Sequence, residues 1–166
     1  MDSFGEALRA IERLKADGVV TDYALGGAMA LVFWSEPIAT FDIDVFVLLQ
    51  SGGSLVSLAP VYEWARKNGY AEEAEHIVIA GIPVQIIPAP NAIAEEAITT
   101  AAELDYEEQR VRVIRPEFLI ALYLEPSARS AKRLERVAAL LEQGDVDREL
   151  LQSLLRRYNL KLPSYE

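Results

Sequence analysis

Apolar residues first recur at helical spacing. Phe4, Ala7, Leu8, Ile11 and Leu14 share one face, Ser3 and Glu6 have the spacing of a capping box, and Gly18 follows as a stop. This predicts an N-terminal helix. Val19 to Leu25 is a short β-prone run that ends at Gly26-Gly27, and the apolar stretch Ala28 to Trp34, with its Ala and Met, reads as a buried helix ended by Pro37. Phe41 to Leu49 is charged only at its start. Its continuous apolar run predicts a central strand covered on both faces. Beyond the Ser51-Gly-Gly-Ser54 loop, Leu55, Leu58, Tyr62 and Ala65 mark a second amphipathic helix that ends at Asn68-Gly69.

His76 to Ala80 and Ile82 to Ile87 predict two strands joined in a hairpin at Ala80-Gly81 and closed by Pro88-Ala-Pro90. A short helix over Ala92 to Thr99 and a strand over Gln109 to Ile114 follow. From Pro116 the pattern is helical, divided by Pro126 and Gly144, with a last helix over Asp147 to Tyr158. The predicted order is α-β-α-β-α-β-β-α-β and then three helices. It implies an α/β or α+β fold, with residues 1–114 forming a sheet core and residues 115–166 a helical segment packed on it.

Composition narrows the chemistry. A chain of 166 residues, half of them hydrophobic, is long enough to enclose one core and too apolar to be disordered. It contains no cysteine, so disulfides and thiolate-ligated metals are excluded, and its single histidine, His76, excludes multi-histidine centres. Any metal must sit on oxygen ligands. The net charge of -10 argues against non-specific nucleic-acid binding. That deficit lies wholly in residues 1–114, where eighteen acidic side chains face seven basic ones. No apolar run is long enough to span a membrane and no N-terminal signal pattern is present, so the expectation is a cytoplasmic protein with no membrane partner.

Asp42 and Asp44 are two residues apart on a predicted strand, so their side chains project on the same side, roughly 6 to 7 Å apart along it. Carboxylates so placed at the entrance of an apolar strand repel one another, and a divalent cation relieves that repulsion. Mg²⁺ commonly takes one or two carboxylates together with substrate phosphates. A solvated strand end with no ligand is equally compatible with the spacing. Gly26-Gly27, between a strand and a helix start, suits either a phosphate held by free N–H groups or a simple tight turn.

Taken together, Leu25-Gly-Gly-Ala-Met-Ala-Leu31 and Glu36-Pro-Ile-Ala-Thr-Phe-Asp-Ile-Asp-Val45 resemble the nucleotidyltransferase superfamily, particularly the small bacterial group of abortive-infection, type IV toxin-like nucleotidyltransferases. Val113-Ile-Arg-Pro-Glu-Phe-Leu-Ile-Ala-Leu122 extends the resemblance over most of the chain. The resemblance implies a mixed sheet and transfer of a nucleoside monophosphate from a nucleoside triphosphate to an acceptor that the sequence leaves open. It also implies Asp42 and Asp44 as Mg²⁺ ligands, Gly26, Gly27, Thr40 and Lys132 as nucleotide contacts, and Gln85 at the position of the usual third carboxylate. Lys132 and Arg133 could supply phosphate contacts from the next helix, and a solvated helix face is the alternative reading of both. The chain departs from the family pattern at Gln85, at Ile38 where relatives often have Arg, and at Tyr123 where they often have Lys. The alternative is therefore a catalytically degenerate relative that binds a nucleotide or a partner protein, as in a toxin–antitoxin-like pair.

Other conspicuous residues read as structural. His76, close to Glu73 and Glu75, is expected at a surface or edge rather than as a base. Trp34, Trp64, Phe33 and Tyr62 are expected in the core, and Glu72, Glu73, Glu75, Glu107 and Glu108 as solvated loop charge.

Overall fold

The computed structural model describes residues 2–35, 42–49, 57–128 and 130–163. Thr40, Ile38, the Ser51 to Ser54 loop and Leu55 lie outside the described residues. Helix α1 (Ser3–Ala16) buries Ala7, Leu8, Ile11 and Leu14, the face read from the spacing. Its cap is Asp2 rather than Ser3, and the Asp2 carboxylate accepts from the Gly5 N–H at 2.7 Å. An ionised acceptor one residue earlier serves the helix N-terminus better than a hydroxyl does.

The chain continues through β1 (Asp22–Gly26), α2 (Gly27–Trp34), β2 (Ile43–Leu48), α3 (Ala59–Lys67), β3 (Ala71–Glu73), β4 (His76–Ile79) and β5 (Ile82–Pro88). It then forms α4 (Ala92–Thr99), β6 (Ala102–Tyr106), β7 (Gln109–Val113), α5 (Pro116–Leu124), α6 (Ala131–Gln143) and α7 (Arg148–Arg157). Among the described residues the strands form one seven-stranded sheet in the order β3-β4-β5-β2-β1-β7-β6. The sheet is mixed, because β2 runs parallel to β5 and β1 parallel to β7 while the other neighbours are antiparallel.

Two strands went unpredicted. The segment read as loop charge contains β3, a short edge strand whose residues are all exposed and which therefore lacks an apolar face to betray it. β6 does alternate: Ala102, Leu104 and Tyr106 pack inward between exposed Glu103 and Asp105. It turns into β7 through Glu107 and Glu108, with Glu107 at φ +54°. A further difference is that β2 is not equally covered on both faces. Ile43, Val45 and Val47 are fully buried, whereas Asp44, Phe46 and Leu48 are only half-buried.

Helix α5 is apolar all round and buried along almost its whole length, as befits a helix enclosed by other elements. It packs against α4, α6 and α7, which is how the C-terminal helices join the core. Glu117 on α5 is nearly fully buried, and its carboxylate accepts from the Asp147 N–H at 3.2 Å, tying α5 to the start of α7. Burial, the largest influence, pushes the Glu117 carboxyl up from its ordinary value despite that bond. No helix among the described residues is long and apolar enough to cross a membrane.

Candidate active site

Strand pairing sets four residues in a row across the sheet. Gly26 on β1 pairs with Asp44 on β2, Asp44 pairs with Gln85 on β5, and Gln85 pairs with His76 on β4. Directly opposed residues show their side chains on the same face, so Asp44, Gln85 and His76 lie side by side. Asp42 stands just before β2 and shares the side of Asp44, since the intervening Ile43 is buried in the core. The His76 Nε2 lies 3.9 Å from Asp42 Oδ2. His76, expected at a surface or edge, is the partly exposed first residue of β4, and it stands next to the acidic pair because the two-residue turn at Ala80 and Gly81 folds β4 back onto β5.

The two glycines are required for different reasons. A side chain at Gly26 would meet the Phe46 ring at 2.5 Å, so that position is empty to let the ring lie over the strand. Gly27 adopts φ +57°, and a Cβ there would come 2.2 Å from Asp44 Oδ2. Backbone at Gly27 and carboxylate at Asp44 therefore occupy the same small space. We expect Gly27→Ala to lose about 1–2 kcal/mol through the left-handed backbone, a fall in Tm of roughly 2–8 °C. The Asp44 carboxylate can swing aside to relieve the side-chain contact, so the backbone strain is what remains. Thermal unfolding of the variant beside the native protein checks it; an unchanged Tm would show that the left-handed backbone at Gly27 costs nothing.

These residues open into a cleft of about 400 Å³. Its floor is Asp44 and Phe46 from β2 with Gln85 and Ile87 from β5, and Gly27 closes one end. Leu119, Leu122 and Tyr123 of α5 form the facing wall, continued by Arg133 and Arg136 of α6. At the far end, Asn91 caps α4 through its side-chain oxygen and donates to Glu125 at 2.9 Å. A more open groove of about 580 Å³ between α1 and the β6–β7 turn is lined by Gly5, Arg9 and Tyr106 to Gln109 and carries none of the paired acids or glycines.

Charge in the cleft is sharply opposed. Burial first, and the negative charge of Asp42 second, raise the Asp44 carboxyl above its ordinary value; His76, Arg136 and Arg133 offset part of that. Arg136 lies over the Tyr123 ring, 5.9 Å from its centroid. Among the described residues no three His, Asp or Glu side chains converge closely enough to hold a metal by themselves.

Comparison of the sequence with protein-family profiles and with curated proteins finds no match. Solved structures do match. The antibiotic-resistance factor ANT(2'')-Ia in solution is 18% identical, with a TM-score of 0.51 over 96% of this chain and 93% of that one. ANT(2'')-Ia in its crystalline complex with adenylyl-2''-tobramycin is 16% identical, with a TM-score of 0.55 over 95% of this chain and 98% of that one. An antigenic nucleotidyltransferase-like protein from Paracoccidioides brasiliensis is 12% identical, with a TM-score of 0.55 over 95% and 87%. The chain has the nucleotidyltransferase fold.

On this nucleotidyltransferase fold the residues singled out by sequence are partly gathered and partly not. Gly26, Gly27, Asp42 and Asp44 fall together at the adjoining ends of β1 and β2, beside Gln85 in the middle of β5. Lys132 is exposed and is not among the residues lining the cleft; the cationic lining comes from Arg133 and Arg136. Arg136 was missed. Its signal was available as the i, i+3 spacing from Arg133 on a helix capped by Ser130, which puts the two on one face and turns Lys132 away.

Proposed function

We propose that this chain is a Mg²⁺-dependent nucleotidyltransferase that moves a nucleoside monophosphate from a nucleoside triphosphate to a hydroxyl-bearing acceptor. The observation that carries this reading is the juxtaposition of Asp44 with Gly27 at the head of a cleft whose opposite wall is cationic. The crystalline complex of ANT(2'')-Ia with adenylyl-2''-tobramycin supports an acceptor of small-molecule size, as does the cleft volume of about 400 Å³.

The residues present suit Mg²⁺. Asp42 and Asp44 offer two oxygen donors on one side of the strand, and the burial and mutual repulsion that raise the Asp44 carboxyl are what a bound cation would offset. The rest of the shell would come from phosphate oxygens and water. When bound, the ion supplies neutralisation of charge on the attacking and leaving oxygens. The chain's own groups would position the substrate: the N–H groups at the start of α2 would hold phosphate oxygens, and the apolar side chains of Phe46 and Ile87 would pack beside the bound molecule. In the reaction the acceptor oxygen bonds to the α-phosphorus while the bond to the α–β bridging oxygen breaks. Pyrophosphate leaves with that electron pair, and the hydroxyl proton passes to water, since the Gln85 amide cannot accept it as a base.

The purified protein incubated with each labelled triphosphate, Mg²⁺ or Mn²⁺, and small hydroxylic acceptors or cell extract should transfer label. Asp42→Ala should reduce that transfer on the order of 100-fold or more, the effect of removing a direct metal ligand. Transfer unchanged in Asp42→Ala would sink the reading. Gln85, where relatives have a carboxylate, favours one second reading, a degenerate relative that binds nucleotide or a partner protein; triphosphate binding by calorimetry without turnover would support it.

A further inference from the structure

We propose that Arg133, Arg136 and the Tyr123 hydroxyl form a polyphosphate clamp on the helical wall of the cleft, facing the carboxylate pair. The inference rests on the nucleotidyltransferase reading for its place in catalysis, but the site stands on its own geometry. Arg133 and Arg136 are one turn apart on α6 and both line the cleft with Asp44 and Gly27. Neither forms an ion pair with a carboxylate within 4.0 Å among the described residues, since the salt bridges there involve other cations. Arg133 is instead anchored by donating to the Ala128 carbonyl at 3.1 Å, which leaves further guanidinium N–H groups available.

Tyr123 supplies an independent observation. Its side chain is 6% exposed, it lines the cleft, and its hydroxyl is buried with no hydrogen-bond partner among the described residues. The Arg136 guanidinium over the ring approaches that hydroxyl closely enough to offset part of the burial that raises its pKa, but no hydrogen bond of normal geometry joins them. A buried donor with no acceptor is costly unless a ligand completes it. The ligand must also satisfy both walls at once, presenting a cation to Asp44 and Asp42 and several anionic oxygens to the arginines. A metal-bound polyphosphate has that composition, and guanidinium forks match phosphate oxygens in bidentate geometry. The clamp occupies the side of the cleft where the family's lysine is lacking, so Tyr123 and two arginines from the next helix would hold the phosphates that leave as pyrophosphate.

The test is calorimetric titration of the full chain with inorganic tripolyphosphate and Mg²⁺, with a non-hydrolysable nucleoside triphosphate as a second arm. Arg133→Ala and Arg136→Ala should each weaken tripolyphosphate binding about tenfold, the loss of a charge-assisted bond. Tyr123→Phe should weaken it by a smaller factor while leaving Tm unchanged or higher; a lowered Tm would mean that the hydroxyl has a structural partner. Arg156→Ala, on exposed α7, should bind as the native protein does. The three substitutions should weaken the nucleotide by the same factors, because the two ligands share only phosphates. Equal binding by the native and arginine variants, or loss confined to Asp44→Asn, overturns the clamp. No acceptor or transferable group is needed in the tripolyphosphate arm. An inactive but tightly clamping protein would therefore reject the transfer reading alone, and an active protein indifferent to the arginine changes would reject the clamp alone.

Discussion

Asp44→Asn should raise the thermal stability of the protein while removing the nucleotidyl transfer proposed for it. The native carboxyl is half-buried against Gly27 and repelled by Asp42, so its pKa is held above the ordinary value. A raised pKa means that the folded state binds the proton more tightly than the unfolded chain does. That contribution is fully present below the unfolded carboxylate pKa of about 3.9 and is lost as pH rises through the folded value. At neutral pH the ionised Asp44 is therefore a net cost, and its isosteric amide should increase Tm by about 2–4 °C for each kcal/mol relieved. The difference between variant and native protein should open with rising pH. Mg²⁺ should close it from the other side, stabilising the native protein by about 2.7 kcal/mol at 100 times its Kd and the variant little. Transfer should fall on the order of 1,000-fold, since both a ligand and its charge are lost. Thermal melts over a pH series, with and without Mg²⁺, read the first effect, and label transfer reads the second. A variant less stable than the native protein at neutral pH would show that Arg133 and Arg136 already engage Asp44 as a stabilising pair.

Where periodicity was strong, it located elements to within a residue or two. The i, i+3, i+4 pattern of α1, the hairpin at Ala80 and Gly81, and the Pro116 start of α5 all correspond to the observed elements. Periodicity failed where charge occupied strand positions. β3 pairs through its backbone alone, so nothing in Ala71–Glu73 could distinguish it from loop, whereas β6 carried a readable alternation beneath Glu103 and Asp105. The half-buried side of β2 was illegible for a different reason. Phe46 is apolar where it floors a cleft, and sequence does not separate a cleft floor from a core.

The same distinction limited the site. Spacing alone put Asp42 and Asp44 on one side, since alternation along a strand is local. Joining them to Gly26, Gln85 and His76 required pairing between strands distant in sequence, which the resemblance supplied for the first two and strand topology for the third. Arg136 and the unpartnered hydroxyl of Tyr123 come from helices that meet the sheet only through tertiary packing, so their approach to Asp44 could not be read from any local pattern.

The largest loss of stability should come from a residue that sequence did not single out. Arg112 on β7 is buried, and its guanidinium donates to the Tyr23 carbonyl at 3.0 Å and the Ile98 carbonyl at 2.8 Å. It also pairs with Asp22 at 3.0 Å and with Glu103 at 3.4 Å, so a single side chain joins β1, β6, β7 and the end of α4. The backbone N–H of Arg112 donates to the Tyr23 hydroxyl, which in turn donates to Glu12 on α1. Arg112→Ala would leave Asp22 with Lys15, 3.2 Å away, and the Tyr23 N–H at 2.9 Å, and would take a charged donor from the Tyr23 and Ile98 carbonyls. Removing one partner of a buried pair typically costs about 3–5 kcal/mol, a large share of the roughly 5–15 kcal/mol that holds a domain folded. If the orphaned carboxylate is the main cost, the double variant Asp22→Leu with Arg112→Met should recover part of the loss, and Arg112→Met alone should recover less. The consequence should reach the active site, because the parallel pairing of Leu25 with Val113 adjoins both Arg112 and Gly26. Chemical denaturation of Arg112→Met, Asp22→Leu and their double variant measures the cycle. Additive losses would show that Asp22 and Arg112 act independently and that Arg112 stabilises the fold through its carbonyl bonds rather than through the ion pair.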